Sequence, residues 1–134
     1  MLTLVKTFVL LSTILIIGCA GPSGKSFDSA VGEWSLQFHP PSGTTVAAKL
    51  TIIDEAKATY TWMNGRILFY AIEEQGKWEG YWVEDAGQHD CWEKKDGSTD
   101  WGVATFLFND AYNSFSGKWD FCGDGEIFDL DGVR

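Results

Sequence analysis

The sequence predicts an all-β fold, a single small antiparallel up-and-down β-barrel of about eight strands behind an N-terminal signal segment. Three observations predict it. Past Gly18, no stretch keeps an apolar 3.6-residue period over three turns, whereas two-residue alternation recurs throughout, as half-buried strands require. The breaks between alternating runs are only a few residues long, and loops that short join antiparallel neighbours. Eight or nine strands in a meander remove their exposed edges by closing, with a two-sheet sandwich as the alternative.

The elements follow in order. In Gly32-Glu-Trp-Ser-Leu-Gln-Phe38, the residues Trp34, Leu36 and Phe38 share one face and Glu33, Ser35 and Gln37 the other. His39-Pro-Pro-Ser-Gly43 ends that run, and Val46, Ala48, Leu50 and Ile52 form the next buried face. Asp54-Glu-Ala-Lys57 turns the chain into a strand where Tyr60 and Trp62 alternate with Thr59 and Thr61. Asn64-Gly65 is the strongest hairpin signal, since both residues tolerate the positive φ of a type I′ turn. Further strands read at 66–73, 77–84, 88–93, 99–108, 112–121 and 126–131. Two of them are apolar on both faces, at Ile67-Leu-Phe-Tyr-Ala-Ile72 and Phe106-Leu-Phe108. Either they present a patch to a partner or something covers their outer side, and segment 27–31 or the C-terminal end is the expected cover.

Gly-x-Trp occurs at Gly32-Glu-Trp34, Gly76-Lys-Trp78, Gly80-Tyr-Trp82 and Gly117-Lys-Trp119. In Trp78-Glu-Gly-Tyr-Trp82 and Phe115-Ser-Gly-Lys-Trp119, the rings and the glycine fall on one face. The missing side chain there leaves room for a facing ring or lets a strand bend around a tight barrel.

The N-terminus reads as an export signal. Lys6 is followed by eleven uncharged residues, Thr7 to Ile17. That is short of the roughly 20 a membrane span needs, and right for the apolar region of a secretory signal. Ile16-Ile17-Gly18-Cys19 resembles the lipobox of bacterial lipoproteins. The resemblance implies cleavage of residues 1–18, acylation of Cys19 and a membrane anchor, which two or more chains make stable. Ala20 in place of Asp implies sorting to the outer membrane, on its periplasmic face. Residues 19–27 then read as lipidated cysteine and tether, and 28–134 as the barrel domain.

Composition narrows the partners. All nineteen acidic residues lie past residue 18 against nine Lys and Arg, a balance that excludes nucleic acid and anionic lipid heads as docking surfaces. It suits steering of a basic partner. Cys91 and Cys122 remain as an even pair in an oxidising compartment and are expected to form a disulfide, with two buried thiols as the other reading. In a plain meander they stand two strands apart, roughly 9–10 Å and beyond disulfide reach. The segment 122–125 must then fold over the start of strand 99–108 for the bond to close.

Gly32-Glu-Trp34 on the first strand, preceded by Phe27-Asp-Ser-Ala-Val31, is similar to the opening of lipocalins and their avidin-like relatives. The resemblance implies a barrel floor closed by Trp34, with Arg134 packed across it. It also implies a mouth that binds a small apolar molecule, with Trp62, Trp82, Trp101 and Trp119 as walls. The competing expectation is that these rings simply fill the core, as in most small eight-stranded barrels.

No catalytic residue, metal site or cofactor is expected. His89-Asp90-Cys91 read as a strand puts His89 and Cys91 on one face with Asp90 opposite, which denies the pair an orienting carboxylate. Asp124, Glu126, Asp129 and Asp131 do not match a calcium loop. The function these readings support is a lipid-anchored cell-envelope lipoprotein with a β-barrel binding module. Alternatives are an acidic protein-binding lipoprotein, which resembles the periplasmic inhibitors of basic lysozyme, or a structural envelope protein without ligand.

Overall fold

Each strand pairs with its chain neighbour in the computed structural model, which describes residues 27–85, 87 and 89–134. Residues 1–18, Cys19 and the tether as far as 26 lie outside the described residues. The strands are β1 (Gly32–Phe38), β2 (Val46–Ile52), β3 (Lys57–Tyr60), β4 (Gly65–Ile72), β5 (Lys77–Glu84), β6 (Asp100–Phe108), β7 (Ser114–Trp119) and β8 (Phe128–Val133). They form a closed eight-stranded barrel, sealed where Phe38 of β1 lies opposite Leu130 of β8 and Ser35 opposite Val133.

Alternation sorts the side chains as period-two geometry demands. Trp34 and Leu36 on β1, Trp78 and Trp82 on β5, Ala104, Phe106 and Phe108 on β6, and Phe115 and Trp119 on β7 join one buried core. Glycine makes room among them. A Cβ on Gly132 would lie 2.1 Å from Cζ of Phe115, so the ring of β7 occupies the side-chain space that β8 lacks.

The two ends of the barrel differ. At one, short turns at 53–56, 73–76 and 109–113 close a floor. Trp34 packs edge-on against Phe108 at 5.3 Å, and Trp78 meets Phe108 at 5.2 Å. A 3₁₀ turn, Phe27–Ser29, seals this end from beneath, its Phe27 ring stacked on Trp78 at 5.3 Å. Arg134 lies 3.9 Å over the Trp34 ring and donates to the Ser29 carbonyl at 2.6 Å. At the other end the connections 39–45, 61–64, 85–99 and 120–127 surround an open mouth.

Three expectations change. Of the strand expected at 88–93, the described residues 89–93 form no strand; they belong to the connection between β5 and β6, and Cys91 packs against the outer face of the barrel. Arg66 of β4 holds this connection by Asp85 at 3.0 Å and by Asp96, and the Cys91 amide donates to the Thr99 carbonyl at 2.8 Å. Eight strands close the barrel without it. The hairpin turn is centred one residue early, with positive φ at Met63 and Asn64 rather than at Asn64 and Gly65. Gly65 pairs instead with Tyr60, whose ring stands 2.0 Å from where a Cβ would be. The outer cover also differs. Leu68 is covered by Val83, Cys91, Trp101 and Cys122, not by segment 27–31, which lies under the floor. Tyr70 and Leu107 stay exposed, with the Tyr70 ring tilted against Tyr81 at 4.9 Å.

The disulfide joins Cys91 to Cys122 with a Cα separation of 5.4 Å. The Cys122 amide donates to the Trp101 carbonyl at 2.8 Å, and Gly123 lies against the Trp101 ring. This segment therefore crosses the start of β6 and meets the loop 85–99 there, stapling two of the mouth connections.

Candidate functional site

The upper half of the barrel, between the packed floor and the mouth, holds a cavity of about 270 Å³. Leu36, Ile67, Phe106 and Leu130 form its base. Trp82 and Trp119 form adjoining walls, edge to face at 5.9 Å, and Phe38 meets Trp119 at 6.0 Å. Both indole N–H groups are spent on the barrel itself: Trp82 donates to the Asp120 carbonyl at 2.8 Å and Trp119 to the Asp129 carbonyl at 3.1 Å. The rings are thereby fixed and present their carbon faces inward. Trp62, just past β3, stands at the rim beside Phe38 at 6.2 Å.

Of the four tryptophans expected as walls, Trp62, Trp82 and Trp119 border this space and Trp101 does not. On β6 Asp100 points inward, so Trp101 points outward. There it packs with Val83 and Cys91 and donates to the Glu93 carbonyl at 2.8 Å. Lys95 caps it, 5.1 Å from the ring.

One side of the cavity is polar. Glu84, the last residue of β5, lies directly opposite Asp100, the first of β6. Both border the cavity, as do Tyr60 and His89. Tyr60 donates its hydroxyl to Glu84 Oε1 at 2.8 Å. Burial, with Asp100 adding to it, pushes the Glu84 carboxyl up to about 7, even though the Tyr60 hydrogen bond pulls the other way. Burial beside Glu84 holds the Tyr60 hydroxyl far above the usual tyrosine range. Asp100 is 1% exposed. His89 stacks on Phe121 at 3.6 Å, and its Nδ1 lies 3.9 Å from Asp100 Oδ1.

This constellation was not expected. The strand reading of His89-Asp90-Cys91 placed His89 beside Cys91, but a loop carries the segment, so His89 borders the cavity while Cys91 joins the outer cluster. The carboxylate nearest His89 comes from Asp100. The signal was present in the alternation, since Trp78, Gly80, Trp82 and Glu84 share a face, as do Asp100, Gly102, Ala104 and Phe106. Among the described residues, no group of three His, Cys, Asp or Glu side chains could hold a metal ion.

Comparison with protein-family models, with curated proteins and with solved structures finds no match to this chain.

Proposed function

We propose that this chain is a lipid-anchored lipoprotein of the cell envelope whose barrel binds a small molecule in its open half. The observation that carries the binding reading is the uneven filling of the barrel. Trp34, Trp78, Phe108 and Phe115 pack the floor, while above them fixed aromatic walls surround about 270 Å³ of space. Ligand sites are concave, mostly apolar and furnished with a few convergent polar groups. Tyr60, Glu84 and Asp100 are such groups. The Trp34–Arg134 closure of the floor supports a lipocalin-like architecture. The lipobox-like Ile16-Ile17-Gly18-Cys19 supports the anchor, and sorting past Ala20 points to the outer membrane's periplasmic face.

The test is tryptophan fluorescence of the purified chain, titrated with small neutral aromatic molecules. A saturable change is expected, because Trp82 and Trp119 face the ligand. Ala104→Phe, which adds a ring on the cavity side of β6, should abolish that change while leaving the circular dichroism of the barrel intact. A titration that never saturates, or one indifferent to Ala104→Phe, refutes the binding reading.

A further inference from the structure

Resting on that reading, we propose that the ligand is a neutral aromatic hydrogen-bond donor, a phenol or an N–H heterocycle whose polar hydrogen is received by Glu84. Tyr60 and Glu84 border the cavity from β3 and β5, joined by the bond that the Tyr60 hydroxyl donates to Glu84 Oε1 at 2.8 Å. A tyrosine hydroxyl has one hydrogen, and here it is committed, so toward a third group Tyr60 presents oxygen lone pairs. An ionised carboxylate accepts only, and its two oxygens together offer about four sites. The indole donors of the walls are turned away, Trp82 to the Asp120 carbonyl and Trp119 to the Asp129 carbonyl. Ser42 and His89, which can donate, stand on the mouth connections 39–45 and 85–99. Beneath them, the Tyr60–Glu84 pair and the two indoles meet a ligand with acceptors and with carbon, so the complementary ligand brings the hydrogen. An ammonium or a carboxylate would also carry the desolvation cost of a second buried charge, which a neutral donor avoids.

The walls set the body. Trp82 and Trp119 meet at 81° and Phe38 and Trp119 at 83°, so successive rings stand edge to face. A flat ring slotted among them stacks on one face while meeting the next edge-on, the two arrangements that aromatic quadrupoles favour. Trp82 lies two residues before Glu84 on the same face of β5, which sets the carboxyl beside the indole wall. At the roughly 30 Å³ that a water occupies in the liquid, the cavity takes on the order of ten non-hydrogen atoms, one ring with a short substituent.

Protonation provides an independent reading. Glu84 is faced by Asp100 from β6, Tyr60 from β3 and His89 from the loop 85–99, with Arg66 of β4 acting on Tyr60. Burial lifts the Glu84 carboxyl to about 7. Above that value it is an anion, and a ligand O–H or N–H gives it a charge-assisted hydrogen bond. Below it the carboxyl carries its own proton and serves a ligand acceptor as readily as a ligand donor. A phenol, which itself ionises only near about 10, stays neutral throughout. Its advantage over the matching methyl ether should therefore climb between pH 5.5 and 8.

The experiment titrates the purified full chain by calorimetry with four probes: 4-ethylphenol, its methyl ether 4-ethylanisole, 4-ethylbenzylamine and 4-ethylbenzoate. At pH 8 the phenol should bind tightest, at least about tenfold tighter than the ether, the scale of one charge-assisted hydrogen bond. Glu84→Gln should erode that advantage and flatten its pH dependence, while saturable binding of the ether reports that the cavity is intact. Tyr60→Phe keeps the ring that packs on Gly65 but removes the hydroxyl that holds Glu84, and should erode the advantage as well. If either variant fails to fold, the probe series on the unaltered chain decides alone. Equal affinity for phenol and ether, or tightest binding of the amine or the carboxylate, overturns the neutral-donor proposal and leaves the cavity reading in place. Silence with all four probes overturns both.

Discussion

Glu84 sits between opposing influences. Its neighbour Asp100 and its burial favour the protonated carboxyl, and the Tyr60 hydroxyl, donating to it at 2.8 Å, favours the anion. Burial prevails, and the group titrates near 7 in the folded chain against 4.5 for an ordinary glutamate. Between those values the folded chain binds more protons than the unfolded one, so stability must fall as pH rises through that window and level off above it. Urea unfolding of the ligand-free chain at pH 5 and pH 8 should show lower stability at pH 8, and Glu84→Gln should flatten the difference. Asp85 and Asp129 work in the opposite sense. Their hydrogen bonds to Asn64 and Arg66 and to Lys118 lower their carboxyls, so the stability they contribute is present at neutral pH and is lost as pH falls through the carboxylate range. The inward aim of Glu84 and Asp100 was legible in strand alternation, but their pairing was not. With nineteen acidic residues in the chain, only the register of β5 against β6 singles out two of them.

Among the elements, β1, β2 and β5 carry the boundaries that alternation assigns, because turn signals flank them on both sides. The loop 85–99 escaped that logic. His89 to Glu93 alternates weakly enough to pass for a strand, yet its groups find partners across the barrel's outer face: Arg66 for Asp85 and Asp96, the Trp101 indole for the Glu93 carbonyl, and Cys122 for Cys91. None of these partners is near in sequence, so no local pattern announces them. The Cys91–Cys122 bond spans a separation of 31 residues, worth about 3–4 kcal/mol in the chain-entropy account. Replacing both cysteines with alanine should lower unfolding stability by that order in chemical denaturation. Far-UV circular dichroism should persist, because both cysteines lie outside the eight strands. Ligand affinity should weaken as well, since His89 and Phe121, each near a bonded cysteine, line the mouth. An unchanged denaturation midpoint contradicts this account of the staple.

For the whole molecule, the anchor and the barrel make separable claims. Cys19→Ser should move the protein from the membrane to the soluble fraction on cell fractionation, with cavity binding unaffected; continued membrane retention refutes anchoring through that sulfur. The barrel's geometry then fixes how the module is presented. Phe27 enters beneath Trp78 at the closed floor, at the opposite end from Trp62, His89 and Phe121. On the proposed anchoring through Cys19, the chain enters the barrel from the side of Phe27 at its base, which leaves the mouth at the end away from the attachment. On that proposal the opening samples the aqueous phase rather than the bilayer. For any candidate ligand, the fraction dissolved in lipid is lost to this opening, so capture favours molecules that partition poorly into membranes, however well their rings suit the walls inside.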